Sequence, residues 1–177
     1  SPDWMQRRLS LCGIRPINNV VDITNYLLLE FGQPMHAFDL DRLRGPRIDV
    51  RAPAEPMTFT TLDGSERKID PGMLLIWDAA GAVAVAGVMG GLDSEVTEAT
   101  TRVLFESAHF DPASIRRTAR RLGLSSESSY RFERGVDPGG TLFAADRAVS
   151  LLSRYAQVTP AKGFLDVASG SPRSRKV

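Results

Sequence analysis

"MTFTTLDGSERKIDPGMLLIWDAAGAVAVAGVMGGLDSE", residues 57–95, decides the fold class. Its short alternating or wholly apolar runs are cut by "LDGS", "DPG", "DAAG" and "GVMGGLDSE", compositions that turn a chain rather than continue a helix. Working outward, the same pattern holds from Arg47 to Phe110 and predicts strands near 47–52, 57–62, 73–78, 82–88 and 102–107. Helical signals flank it on both sides. Upstream, Ser1-Pro2 opens a short helix in which Trp4, Met5, Leu9 and Cys12 recur until Gly13. Ile17, Val20, Val21, Leu28 and Phe31 then keep one face of a second helix that Gly32 ends, which places His36 in the loop leaving it. Downstream, Asp111-Pro112 caps a helix through Leu122 closed by Gly123, Asp137-Pro138 opens another through Tyr155, and a last strand is allowed at 163–167. Helices, then strands, then helices describe an α+β domain with a mostly antiparallel or mixed sheet, not alternating βαβ units.

The 177 residues, 42% hydrophobic, are enough for one substantial core, with roughly 70% of the unfolded surface removed from water. Twenty-two Lys and Arg against twenty-one Asp and Glu argue against a chain that coats nucleic acid with a broad positive field, so contact with a polyanion should be local. The single Cys12 reads as a small buried hydrophobe; it excludes an internal disulfide, and with no metal-ligand cluster it points to a reducing, metal-free setting. No apolar run approaches the roughly 18 residues of a membrane span, and the start lacks a signal-peptide core, so the expected location is cytoplasmic. The start without Met and the tail "SGSPRSRKV" lead to the expectation of a domain, 1–168, followed by a linker, 169–177, toward the next domain of a longer chain.

Four features carry candidate chemistry. His36 lies in "GQPMHAF" (32–38); a neutral imidazole near pH 7 both donates and accepts, so it can orient a water or a hydroxyl, although a lone histidine is more often structural. His109, with no motif around it, reads as structural. In "AGVMGG" (86–91), Gly87, Gly90 and Gly91 either let a ligand approach the backbone or form a bulge; no phosphate-loop or dinucleotide spacing is present. Glu106 in "VLFESAHF" (103–110) shares a strand face with Leu104 and Ala108, so it is either internally ion-paired or part of a pocket for a polar ligand group. Finally, 115–134 holds six arginines (116, 117, 120, 121, 131 and 134) against Glu127 and Glu133, an excess of four positive charges. A solvated face is the usual reading; with Tyr130, Phe132 and a Ser-rich loop beside it, contact with RNA through Arg116, Arg120, Arg131 and Arg134 is the alternative.

Taken together and in order, "RPINNVVDITNYLLLEFGQPMHAFD" (15–39), "GVMGG" (87–91), "VLFESAHF" (103–110) and "SSYRFERGVDP" (128–138) closely resemble the B3/B4 editing domain of the bacterial phenylalanyl-tRNA synthetase β subunit. The resemblance covers nearly the whole chain. It implies a ββα three-layer sandwich and hydrolysis of tyrosine wrongly esterified to the phenylalanine tRNA. It places Glu106 at the phenol-reading position, Thr24 and Asn25 on a helix end facing the pocket, and Pro34 and His36 on the loop that closes it. Gly87 and Gly90 would lie along the bound amino acid and Ser126 near the terminal adenosine, with Thr24, Asn25 and His36 lining the hydrolytic site. Where the family reads Thr, an acidic residue, then Ala-Ser, this chain has Ser126-Glu127-Ser128-Ser129, so Ser128 puts a hydroxyl where a methyl is usual and bears on amino-acid preference.

The resemblance further implies partners: the acceptor end of tRNA(Phe), a synthetase α subunit and the rest of a β subunit, with neither membrane nor DNA. It implies no cofactor here, the ATP and Mg of the parent enzyme belonging to a module absent from these residues. Two other functions stay open: a tRNA-binding or structural module without hydrolysis, and a freestanding deacylase acting in trans.

Overall fold

The computed structural model describes residues 1–156 and 158–168; the expected linker, 169–177, lies outside the described residues. Two helices come first. Helix α1 (Asp3–Leu11) buries Met5 and Leu9. Helix α2 (Asn19–Phe31) starts where the Asn18 side chain accepts the Val21 N–H at 2.9 Å, and ends at Gly32, whose φ of 70° is readily available only to glycine. Ile17 is therefore outside the helix and exposed. Cys12 also departs from expectation: helical turns end at Leu11 and its side chain is exposed rather than buried.

The strand region folds as three small sheets rather than one. Strand β1 (Met35–Asp39) pairs with β8 (Val103–Ser107); β2 (Asp49–Arg51), β5 (Leu75–Trp77), β6 (Ala82–Val85) and β7 (Met89–Gly90) form a four-stranded sheet in the order β2-β5-β6-β7; β3 (Met57–Thr60) and β4 (Glu66–Ile69) form a hairpin. Every pairing among the described residues is antiparallel. Three of the "turn" compositions connect strands, while "GVMGGLDSE" itself contains strand β7 and a 3₁₀ turn (Leu92–Ser94). In "LDGS", Asp63 Oδ1 accepts from Thr61 Oγ1 at 2.6 Å and from Ser65 N–H at 3.1 Å, and an isolated bridge from Thr61 to Gly91 ties this hairpin to the larger sheet.

Helix α3 (Pro112–Leu122) is capped by Asp111, which accepts the Ser114 N–H at 2.7 Å, and closed by Gly123 at φ 64°. The Ser-rich stretch is not a loop but a short helix, α4 (Glu127–Phe132), begun by reciprocal bonds between Ser126 and Ser129. A single 3₁₀ turn (Pro138–Gly140) precedes α5 (Thr141–Tyr155). No strand forms at 163–167; Phe164, Leu165 and Val167 are largely exposed and no partner strand lies beside them among the described residues.

Two cores result, and the β1–β8 ribbon stands between them. One, around Phe38, Ile69, Leu75, Val85, Ile115 and Phe132, fills the space between the sheets, α3 and α4. The other, around Met5, Leu9, Ile23, Leu27, Met35 and Leu151, joins α1, α2 and α5. Strand alternation divides the ribbon accordingly: Met35 and Phe105 join the helical core, while Phe38, Leu104 and Ala108 pack on the other side.

Candidate functional site

His36 is on strand β1, not in the loop leaving α2. The correction follows from pairing with a strand far along the chain, which local sequence patterns do not reveal. In the ribbon's register His36 lies directly opposite Glu106. Cross-strand partners project to one side, so the imidazole and the carboxyl share the face that also carries Phe38 and Leu104. The His36 ring meets Phe38 edge to face, with centroids 4.5 Å apart.

Neither titrating group is answered from within. Burial pushes the Glu106 carboxyl up to about 7, and no charge or hydrogen bond offsets that cost. Burial likewise brings the His36 imidazole down to about 4, so it is neutral at pH 7. The internal ion pair entertained for Glu106 is absent among the described residues. A neutral donor–acceptor ring thus sits opposite a carboxyl that titrates near neutrality, both partly open to solvent.

The glycine-rich segment closes on His36. A Cβ on Gly90 would stand 2.7 Å from His36 Cε1 and 2.9 Å from Nε2, so the missing side chain is the space the imidazole occupies. Gly87, at φ 67°, sits instead over Ile115, Phe110 and Phe132, each within 3.0 Å of where its Cβ would be. Ser126 joins α4 to the same turn: its hydroxyl donates to the Val88 carbonyl at 2.7 Å while accepting the Ser129 N–H. Ser128 follows on α4, partly buried.

Thr24 and Asn25 lie in the middle of α2, not at its end, though α2 does pack against β1. Thr24 is buried, and its hydroxyl donates to the Val21 carbonyl at 2.8 Å. Pro34 is buried just before β1. Sequence reading missed the residue that fixes this approach: Gln33, 2% exposed, donates through Nε2 to the Pro34 carbonyl at 3.0 Å and to the Ala108 carbonyl at 2.9 Å. It thereby ties the entry of β1 to the exit of β8. A polar residue between glycine and proline was the one available signal.

The arginines divide. Arg121 pairs with Asp70 at 2.7 Å, Arg131 with Glu127 at 2.6 Å and Arg134 with Glu133 at 2.7 Å, so much of the run is internally answered. Arg116 donates to the Glu133 carbonyl at 3.1 Å, and Arg120 is exposed on α3 with no ion-pair partner among the described residues. His109 is exposed beyond β8 rather than held in the fold. No group of three or more His, Cys, Asp or Glu among the described residues is placed to hold a metal ion, and no helix among them is long and apolar enough to cross a membrane.

The arrangement defines an α+β domain whose polar pair is mounted on a ribbon between two cores, and comparison with known proteins gives that class a family. A family model described as the B3/4 domain matches residues 1–157, and the chain belongs to that family. Its relatives are phenylalanine--tRNA ligase beta subunits. That of Moorella thermoacetica is 61% identical over 166 residues, 94% of this chain and 21% of that protein. That of Geobacter sulfurreducens is 53% identical over 167 residues (94% and 21%), and that of Anaeromyxobacter dehalogenans 52% identical over 177 residues (100% and 22%). The chain spans about a fifth of the length of these relatives.

Proposed function

We propose that this chain hydrolyses the ester of tyrosine misattached to tRNA(Phe). The observation that carries the reading is Glu106: a desolvated, partly exposed carboxyl with no internal partner, opposite a neutral His36. A pocket shaped for phenylalanine rejects a ligand bearing one extra hydroxyl by only about 10². A second site built around a hydrogen bond to that hydroxyl discriminates by as much as roughly 10⁴ to 10⁵, because phenylalanine would leave the desolvated carboxyl unpaired. Glu106, whether it accepts from the phenol or donates to it, supplies that partner.

Hydrolysis then needs a water held against the ester carbonyl. Its oxygen bonds to the acyl carbon, the ester C–O bond breaks, and a proton passes to the departing ribose oxygen. Neutral His36 positions the water or the terminal ribose; the aminoacyl ester is reactive enough that placement carries much of the acceleration. Gly90 gives the imidazole room, Thr24 and Asn25 stand on the helix behind it, Ser126 fixes the turn against α4, and Ser128 bears on which phenolic amino acid fits. Arg116, Arg120, Arg131 and Arg134 would meet the RNA backbone. The partners in this reading are the tRNA(Phe) acceptor end, an α subunit and the remainder of a β subunit in the cytoplasm, and no cofactor takes part.

The test is release of amino acid from tyrosyl-tRNA(Phe) and phenylalanyl-tRNA(Phe), by the chain and by the complete ligase carrying it. Faster loss of tyrosine is expected, with Glu106→Ala removing the preference and His36→Ala lowering the rate at unchanged melting temperature. Equal rates for the two esters, or no hydrolysis by either preparation, would overturn the proposal and leave a tRNA-binding module.

A further inference from the structure

A cleft of about 480 Å³ opens between the end of α2, the loop into β1, α4 and the start of α5. One wall is aromatic: Phe31 and Phe143 meet edge to face with centroids 5.0 Å apart, and they are 42% and 61% exposed. The lining also includes Tyr130, 51% exposed, with the Arg134 guanidinium 3.5 Å from its ring centre. Gln33 lines the cleft too; its Nε2 is committed to two carbonyls, and its buried Oε1 has no donor.

Exposed rings in a soluble domain are a cost unless something stacks on them, and an arginine plane over a tyrosine extends the platform. Unpaired RNA bases stack on such surfaces irrespective of sequence. Arg131 and Arg134 are engaged by ion pairs with partly exposed members, weak enough for a phosphate to replace the carboxylate. The cleft is also continuous with the proposed site along the chain. Gln33 is three residues before His36, about 10 Å of extended backbone, and Tyr130 is two residues after Ser128 on α4.

Resting on the editing reading, we propose that this cleft receives the penultimate nucleotide of the RNA's single-stranded 3′ end. Its base stacks on Phe143 and Tyr130, and its phosphate meets Arg131 and Arg134.

The experiment measures binding of the full chain to a fluorescent RNA hairpin ending in CCA, and to the same hairpin with an abasic penultimate residue. Both are measured against the Phe143→Ala/Tyr130→Ala double variant. Both rings are largely exposed, so the variant should melt with the parent. The abasic RNA is expected to bind the parent chain roughly tenfold more weakly, as one lost base stack predicts, and the variant should bind the two RNAs equally. No abasic penalty in the parent, a penalty that survives in the variant, or no binding of either RNA overturns the proposal. Ester hydrolysis measured alongside separates the two readings: a base-dependent affinity without hydrolysis sinks the editing function alone, and hydrolysis without base-dependent affinity sinks the cleft alone.

Discussion

Asp78 and Glu106 are carboxylates in apolar strand regions, and the fold treats them oppositely. Asp78 sits at the turn between β5 and β6, 5% exposed, and accepts from the backbone N–H groups of Arg44, Ala80 and Gly81 and from Arg44 Nε. Burial alone would raise its pKa, but those four donors outweigh it and hold the carboxyl below the usual range. Glu106 has burial and nothing to offset it, and rises to about 7. The first carboxylate organises a turn and is complete without a ligand. The second, as an anion, opposes folding, which fits the binding role proposed for it above.

Removing each side chain should separate these roles. Asp78→Ala strands three backbone donors at a buried turn, and chemical denaturation should show a loss of about 3 kcal/mol. Glu106→Gln should do the reverse. A carboxyl whose folded pKa lies above its unfolded value of 4.5 costs nothing below that pH, and the cost grows as pH rises through about 7. The variant should therefore be more stable than the parent by about 2 kcal/mol at pH 8, with the gain vanishing near pH 4. A Glu106→Gln chain less stable than the parent at pH 8 would mean that the carboxylate has an internal partner after all. His36 has the opposite sign: its folded pKa is below 6.5, so its cost appears as pH falls from 6.5 toward about 4. His36→Gln should accordingly gain stability at pH 4.5 and none at pH 8.

An intermediate effect is expected at Ser126, whose hydroxyl caps α4 and holds the Val88 carbonyl. Ser126→Ala should lower stability by about 1 kcal/mol, read by thermal melting. Because the lost bond anchors the glycine turn beside His36, tyrosyl ester hydrolysis should also slow, whereas an isolated helix cap would leave it untouched.

What was legible beforehand follows the range of the interactions. Asp111-Pro112 with Gly123, and Gly32 at the end of α2, act within a few residues, and those boundaries were readable. Strands β5, β6 and β8 announced themselves by apolar runs between turn residues. Strand β1 did not, because "MHAFD" becomes a strand only by pairing with Val103–Ser107, and α4 was hidden in a serine stretch whose helix rests on one reciprocal cap. The last strand allowed at 163–167 does not form, since no strand adjoins it among the described residues. In the site, His36 and Glu106 were individually conspicuous as polar residues in apolar company. That they face each other, and that Gly90 is small to admit the imidazole, is tertiary information. The roles given to Thr24, Asn25 and Pro34 came from family resemblance and not from any property of their immediate sequence.

The smallest effect lies on α3, where the same contrast recurs between neighbouring cations. Arg121 is answered by Asp70 across an exposed pair, while Arg120 has no ion-pair partner among the described residues. Exposed pairs contribute about 0–1 kcal/mol, so Arg121→Gln should cost little and Arg120→Gln less than about 0.5 kcal/mol. Stability will barely distinguish them, but RNA binding should. A cation with no carboxylate to leave is free to displace a counterion from a phosphate, so Arg120→Gln should reduce the salt dependence of RNA affinity by about one ion, and Arg121→Gln by less. Equal slopes for the two variants would place the RNA elsewhere on the domain, because a backbone running along α3 has no reason to treat a committed arginine and an uncommitted one alike.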